Sequence, residues 1–97
     1  MAKSRPFDAS EYLENESEVA AYIAEAMLTQ DVEHIAHAIG VAAKVRGMTQ
    51  IAERTGLSRE SLYRALSAGG SPKFDTIQRV LEALDLQLTV QPSKRVA

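Results

Sequence analysis

The chain contains no cysteine and no tryptophan, and only two phenylalanines, three tyrosines, three prolines and five glycines. Without cysteine there is no disulfide framework and no thiolate metal site. No apolar run approaches the roughly 20 residues that span a bilayer. The N-terminal MAKSRPFDASEY lacks the apolar stretch of a signal peptide, so a soluble, cytoplasmic protein is expected. Scarce aromatics beside abundant alanine and aliphatic residues favour closely packed short helices. With 97 residues, one small domain is expected, marginally stable alone and helped by a partner or a second copy.

The net charge of −2 hides a division along the chain. Residues 1–33 carry a balance of −6, and residues 34–97 a balance of +4. One part can face phosphate while the other faces a basic partner. For any single segment the commoner explanation is that acidic residues solvate a helix face.

The most informative stretch is Met48 to Leu66, MTQIAERTGLSRESLYRAL. It predicts two short helices with a tight turn. Ile51 and Ala52 face inward on the first, and a larger side chain at Ala52 would push the two helices apart. Gly56 ends the first helix, because a left-handed backbone is cheap only for glycine. Leu57 drops into the crevice between the helices, and Ser58 caps the second. Leu62, Ala65 and Leu66 line its inner face. This is the pattern of a helix-turn-helix unit whose second helix enters the DNA major groove. An ordinary helical hairpin is the plainer alternative.

If the second helix reads DNA, its outer face is Ser58, Arg59, Glu60, Ser61, Tyr63 and Arg64. Arg59 lies near the end that reaches base edges, where a guanidinium can bond O6 and N7 of guanine together. Arg64 reaches base or phosphate one turn on. Ser58 and Ser61 can donate to either. Glu60 is expected to orient Arg64 four residues later rather than to read cytosine. Tyr63 stacks on the backbone or tucks against the last helix. Thr49 and Gln50 open the first helix, where polar groups commonly clamp phosphate. Ser67 to Pro72 is a loop by composition, and Lys73 adds a charge beside it that could contact phosphate; a plain connector is equally consistent.

Elsewhere, residues 1–14 read as an N-terminal arm and residues 15–97 as a single helical DNA-binding domain. Asp8 and Glu11 have the spacing of a capping box, and Phe7, Tyr12 and Leu13 are the arm's apolar anchors. Asn15 caps a helix over about Glu16–Thr29, with Glu18 at its third position. Val19, Ile23, Ala26 and Met27 form its inner stripe and Tyr22 its border. Asp31 caps the next segment, with Val32, Ile35, Ala36 and Ile39 inward. A kink is expected at Gly40 and a stop at Gly47. His34 and His37 are three apart, but no third ligand is placed near them, so exposed helix histidines and no metal are expected. A last helix starts at Asp75 or just before it, with Phe74, Ile77, Val80, Leu81 and Leu84 inward and Asp85 near its end. Over 86–91 the pattern changes to a period of two, with Leu86, Leu88 and Val90 on one side. That predicts a short strand, and a lone strand needs a partner. A second copy related by a two-fold axis supplies one, giving a homodimer suited to a palindromic DNA site.

The run Met48-Thr49-Gln50-Ile51-Ala52, then Gly56-Leu57-Ser58-Arg59-Glu60-Ser61-Leu62-Tyr63-Arg64-Ala65-Leu66, a Gly/Pro loop and Phe74-Asp75-Thr76-Ile77 resembles the addiction module antidote family. These are HigA-like antitoxins in the lambda-repressor-like group. Phe7 to Leu13 and Ala20-Ala21-Tyr22 also look like that family, so the resemblance spans nearly the whole chain. It implies an all-α fold and an antitoxin that binds and neutralises a RelE/HigB-like ribonuclease toxin and represses its own operon. With this, the acidic segment would meet a basic toxin, through Phe7, Tyr12, Leu13 and Glu18. The spacing from Thr49-Gln50 to Ala52 is shorter than in ordinary lambda-repressor-like domains, so a phosphate-clamping role does not transfer directly to Gln50.

A stand-alone transcriptional regulator with no toxin shares every DNA feature, and a short basic neighbouring gene would separate the two. A purely structural interaction module would keep the fold without the DNA. For an enzyme there is no nucleophile–base pair, no glycine-rich phosphate cradle and no metal constellation. No cofactor and no small-molecule substrate is expected.

Overall fold

A computed structural model describes residues 15–67 and 69–93. It contains five helices, α1 (Glu16–Met27), α2 (Val32–Arg46), α3 (Met48–Thr55), α4 (Arg59–Ala65) and α5 (Phe74–Ala83), and no strand among the described residues. The arm anchors Phe7, Tyr12 and Leu13, and the Asp8–Glu11 capping box, lie outside the described residues.

Local chemistry sets the helix starts. Asn15 Oδ1 accepts the Glu18 N–H at 2.9 Å, and Asp31 Oδ1 accepts those of Glu33 and His34 at 3.1 and 3.4 Å. Each satisfies first-turn donors that have no partner inside the helix. The first helix is shorter than expected. It ends at Met27, and the Thr29 hydroxyl donates to Ala26 O at 2.6 Å and accepts from the Asp31 N–H at 3.1 Å. That hydroxyl competes with the helical pattern and turns the chain toward α2.

Helix α2 is the hub, packing against α1, α3 and α5. Ala36, Ala38, Ile39, Gly40, Ala42 and Ala43 are all buried on it, more of its circumference than one inward stripe. Small side chains let neighbouring helices approach from several sides. Gly40 does not end the helix, since α2 runs on through it to Arg46. A Cβ there would stand 3.2 Å from Leu66 O and 3.3 Å from Leu66 Cβ. Gly40 therefore serves a close helix approach.

Val32 also departs from expectation: it is 62 % exposed, because the buried face of α2 begins only with Ile35 and Ala36. Phe74 is 69 % exposed for a similar reason. On α5 the buried residues are Val80, Leu81 and Ala83, followed by Leu84, so burial grows toward the C-terminal end. The centre of the core is Ile39, Ile51, Leu62, Val80 and Leu84, drawn from four helices and the end of α5.

Residues 86–91, expected to form a strand by pairing with a second copy, form none within the single chain. Leu86 and Leu88 pack against the helical core instead, while Val90 is 93 % exposed. A period-two pattern buries alternate residues equally well when an extended tail lies on a helical surface. Leu86 and Leu88 are thereby partly buried within their own chain.

The end of α5 is fastened to the hub. Asp85 adopts φ +64, and the Leu86 N–H donates back to Leu81 O at 2.8 Å. Asp85 carboxylate oxygens lie 3.4 Å from Arg46 and 3.5 Å from Arg54. Arg46 also lies 3.5 Å from Glu16, and Arg54 donates to Ala83 O at 2.9 Å, a cation placed at a helix C-terminus. One left-handed aspartate thus ties α2, α3 and α5 together.

Candidate nucleic-acid interface

Helices α3 and α4 are joined by Gly56, Leu57 and Ser58. Gly56 has φ +76 and ψ 11, and its N–H donates to Ala52 O at 2.9 Å. For other L-residues that conformation is strained. Leu57 is half-buried against the core, as is Ala52. Ser58 is extended, and its Oγ accepts the Ser61 N–H at 3.0 Å. The turn therefore has each local feature its residues predict.

One participant has no obvious sequence signal beyond a threonine before a glycine. Thr55 is the one buried polar side chain among the described residues. Its hydroxyl donates to Ile51 O at 2.8 Å and accepts the Leu57 N–H at 3.2 Å. It links the last turn of α3 to the first residue after Gly56, so the turn is held from inside.

This turn fixes what α4 presents. Leu62 is fully buried and Leu66 nearly so, which leaves Arg59, Glu60, Tyr63 and Arg64 exposed. Glu60 lies 3.6 Å from Arg64, the intrahelical pairing that its spacing suggests. Both side chains are mostly in solvent, so the pair orients Arg64 more than it stabilises the fold. Ser61 is half-buried and its hydroxyl accepts from Ser58 at 2.9 Å. The two serines are thus partly engaged with each other. Thr49 and Gln50 are exposed at the start of α3, and Lys73 is exposed just before α5. Glu18 is exposed on α1.

The division of labour among cations was not legible in the sequence. Arg46 and Arg54 are held by Glu16 and Asp85, so they brace the fold. Lys44 lies elsewhere, with its Nζ 5.8 Å from the centroid of the Tyr63 ring. It contributes a charge beside α4 that its position on a different helix concealed. His34 and His37 are both exposed, and no group of three potential metal ligands forms among the described residues.

A family model described as "Probable addiction module antidote protein" matches residues 3–92. The chain belongs to the addiction module antidote family. An antidote of this kind is an antitoxin, and it implies a toxin partner. The antidote is also 43 % identical over 90 residues to an uncharacterized protein of Haemophilus influenzae (strain ATCC 51907 / DSM 11121 / KW20 / Rd), covering 93 % of each chain. No solved structure matches it. Among the described residues of the antidote, no helix is long and apolar enough to cross a membrane.

Proposed function

We propose that this antitoxin is a DNA-binding protein that represses its own operon through the α3–turn–α4 unit, and that it neutralises a RelE/HigB-like ribonuclease toxin by direct binding. The observation that carries the DNA half is the exposed face of α4. A left-handed Gly56, a buried Thr55 and the Ser58 cap set the helix so that Arg59, Tyr63 and Arg64 stand in solvent. Arg59 has no ion pair among the described residues and sits in the first turn of α4, where a recognition helix meets base edges. Thr49, Gln50 and Lys73 are exposed around it as candidate phosphate contacts.

The toxin half rests on family membership and charge. Helix α1 and the start of α2 expose Glu16, Glu18, Glu25, Asp31 and Glu33 together with Leu28 and Val32. An acidic surface with apolar members suits a small basic protein. Homodimerisation belongs to the same proposal, because a two-fold axis matches a palindromic operator.

The deciding experiment measures affinity for the DNA upstream of the gene and for a random duplex, by fluorescence anisotropy. Arg59→Ala is expected to weaken specific binding by about 1–3 kcal/mol while leaving random-duplex binding nearly unchanged. An equal loss on both would make Arg59 a phosphate contact only. No binding by the unmodified chain would remove the DNA half. Co-purification with the product of an adjacent gene tests the toxin half, and light scattering tests the dimer.

A further inference from the structure

We propose that the face of α2 carrying His37, Val41 and Lys44 is a second contact surface for the phosphate backbone of duplex DNA, continuous with the α4 face, with Lys44 its charged centre. The inference rests on the DNA-binding reading and extends its footprint to a helix outside the α3–turn–α4 unit.

Three observations converge. His37, Val41 and Lys44 are spaced i, i+4, i+7, so they share one face of α2. Gly40, beside them, lies flush against the end of α4: a Cβ there would meet Leu66 O at 3.2 Å. That contact brings this face of α2 alongside Tyr63 and Ser67, leaving an open groove of about 240 Å³ lined by His37, Val41, Lys44, Tyr63 and Ser67 among others. Lys44 Nζ lies 5.8 Å from the Tyr63 ring centroid, within the range in which an aromatic face attracts an ammonium. The ring therefore holds the charge toward the exposed side of α4.

Electrostatics favour an anion there. Lys44 has no carboxylate partner among the described residues, in contrast to Arg46 two positions on, which lies between Glu16 and Asp85. The exposed Ser67 hydroxyl and His37 imidazole add polar groups along the rim. A lysine with three donors on a flexible stem suits a point contact to phosphate, which carries no sequence preference. Its effect should therefore be the same on any duplex, unlike that of Arg59.

The test follows binding of the full chain to the upstream DNA and to a short random duplex across a salt series. Each phosphate contact contributes a slope of about 0.9 in log K against log salt. Lys44→Ala is expected to reduce that slope by about 0.9 on both DNAs and to weaken both equally. Lys44→Arg should retain the slope. Circular dichroism of each variant confirms that the helices are intact. An unchanged slope for Lys44→Ala, with the unmodified chain binding DNA and Arg59→Ala reducing specific affinity, would overturn this inference alone. Failure of the unmodified chain to bind either DNA would overturn it together with the reading beneath it.

Discussion

Replacing Gly70 by alanine probes how the loop after α4 is built. Gly70 is not among the residues with positive φ, so alanine can adopt its backbone conformation. Space is the obstacle. An added Cβ would stand 2.6 Å from Arg64 O and 2.7 Å from Ala65 O, well inside the roughly 3.5 Å of an ordinary non-bonded contact. Both oxygens are backbone atoms of the last turn of α4, which is pinned by the buried Leu62 and Leu66. They cannot swing aside as the tip of a flexible side chain would. Overpacking of this kind costs about 1–3 kcal/mol. The stiffer unfolded chain of the alanine variant returns about 0.4–1 kcal/mol. A net loss of about 1–2 kcal/mol should lower the midpoint of thermal unfolding by about 5–15 °C, measured by far-UV circular dichroism. If DNA binding is as proposed, affinity should fall as well, because Arg64 extends from the turn that must move. An unchanged or raised midpoint would show that the loop yields freely, and would refute the claim that it is packed against the helix.

Ser58→Ala removes the hydroxyl that accepts the Ser61 N–H and should destabilise the protein by about 1 kcal/mol; Ser58→Asp, which keeps an acceptor, should largely restore stability in the same denaturant titration. Asp85→Asn keeps a residue type that tolerates a left-handed backbone but removes the charge facing Arg46 and Arg54. Because these side chains are substantially exposed, screening limits the loss to about 1 kcal/mol or less. The difference from the unmodified protein should shrink as salt is raised, and a difference independent of salt would mean that hydrogen-bond geometry, not charge, is what Asp85 supplies.

Much of the local structure was legible in the residues because its causes are local. Asn15, Asp31 and Ser58 cap helices through side-chain atoms only two or three residues from the donors they satisfy. Gly56 takes a left-handed conformation that its own lack of Cβ makes cheap. The period of the apolar residues placed Val19, Ile23, Ile39, Ile51, Leu62, Val80 and Leu81 in the core. The Glu60–Arg64 pair follows from helical spacing alone. So did the residues that α4 exposes, once its inner face was known.

What the tertiary structure decided are the matters that depend on distant neighbours. Gly40 reads as a kink in the sequence, but Leu66, far along the chain, occupies the space its side chain would need. Leu86 and Leu88 carry a strand-like alternation, and within the chain a helical core partly buries them. Phe74 and Val32 fit the apolar period but are exposed. The arginines of the second half look alike as sequence. Only their surroundings separate Arg46 and Arg54, committed to Asp85, from the exposed Arg59 and from Lys44 beside Tyr63. Periodicity and capping are properties of a few successive residues, so the sequence alone determined them. Close approach and the partners of a charge belong to pairs of residues brought together by folding, and those the structure had to supply.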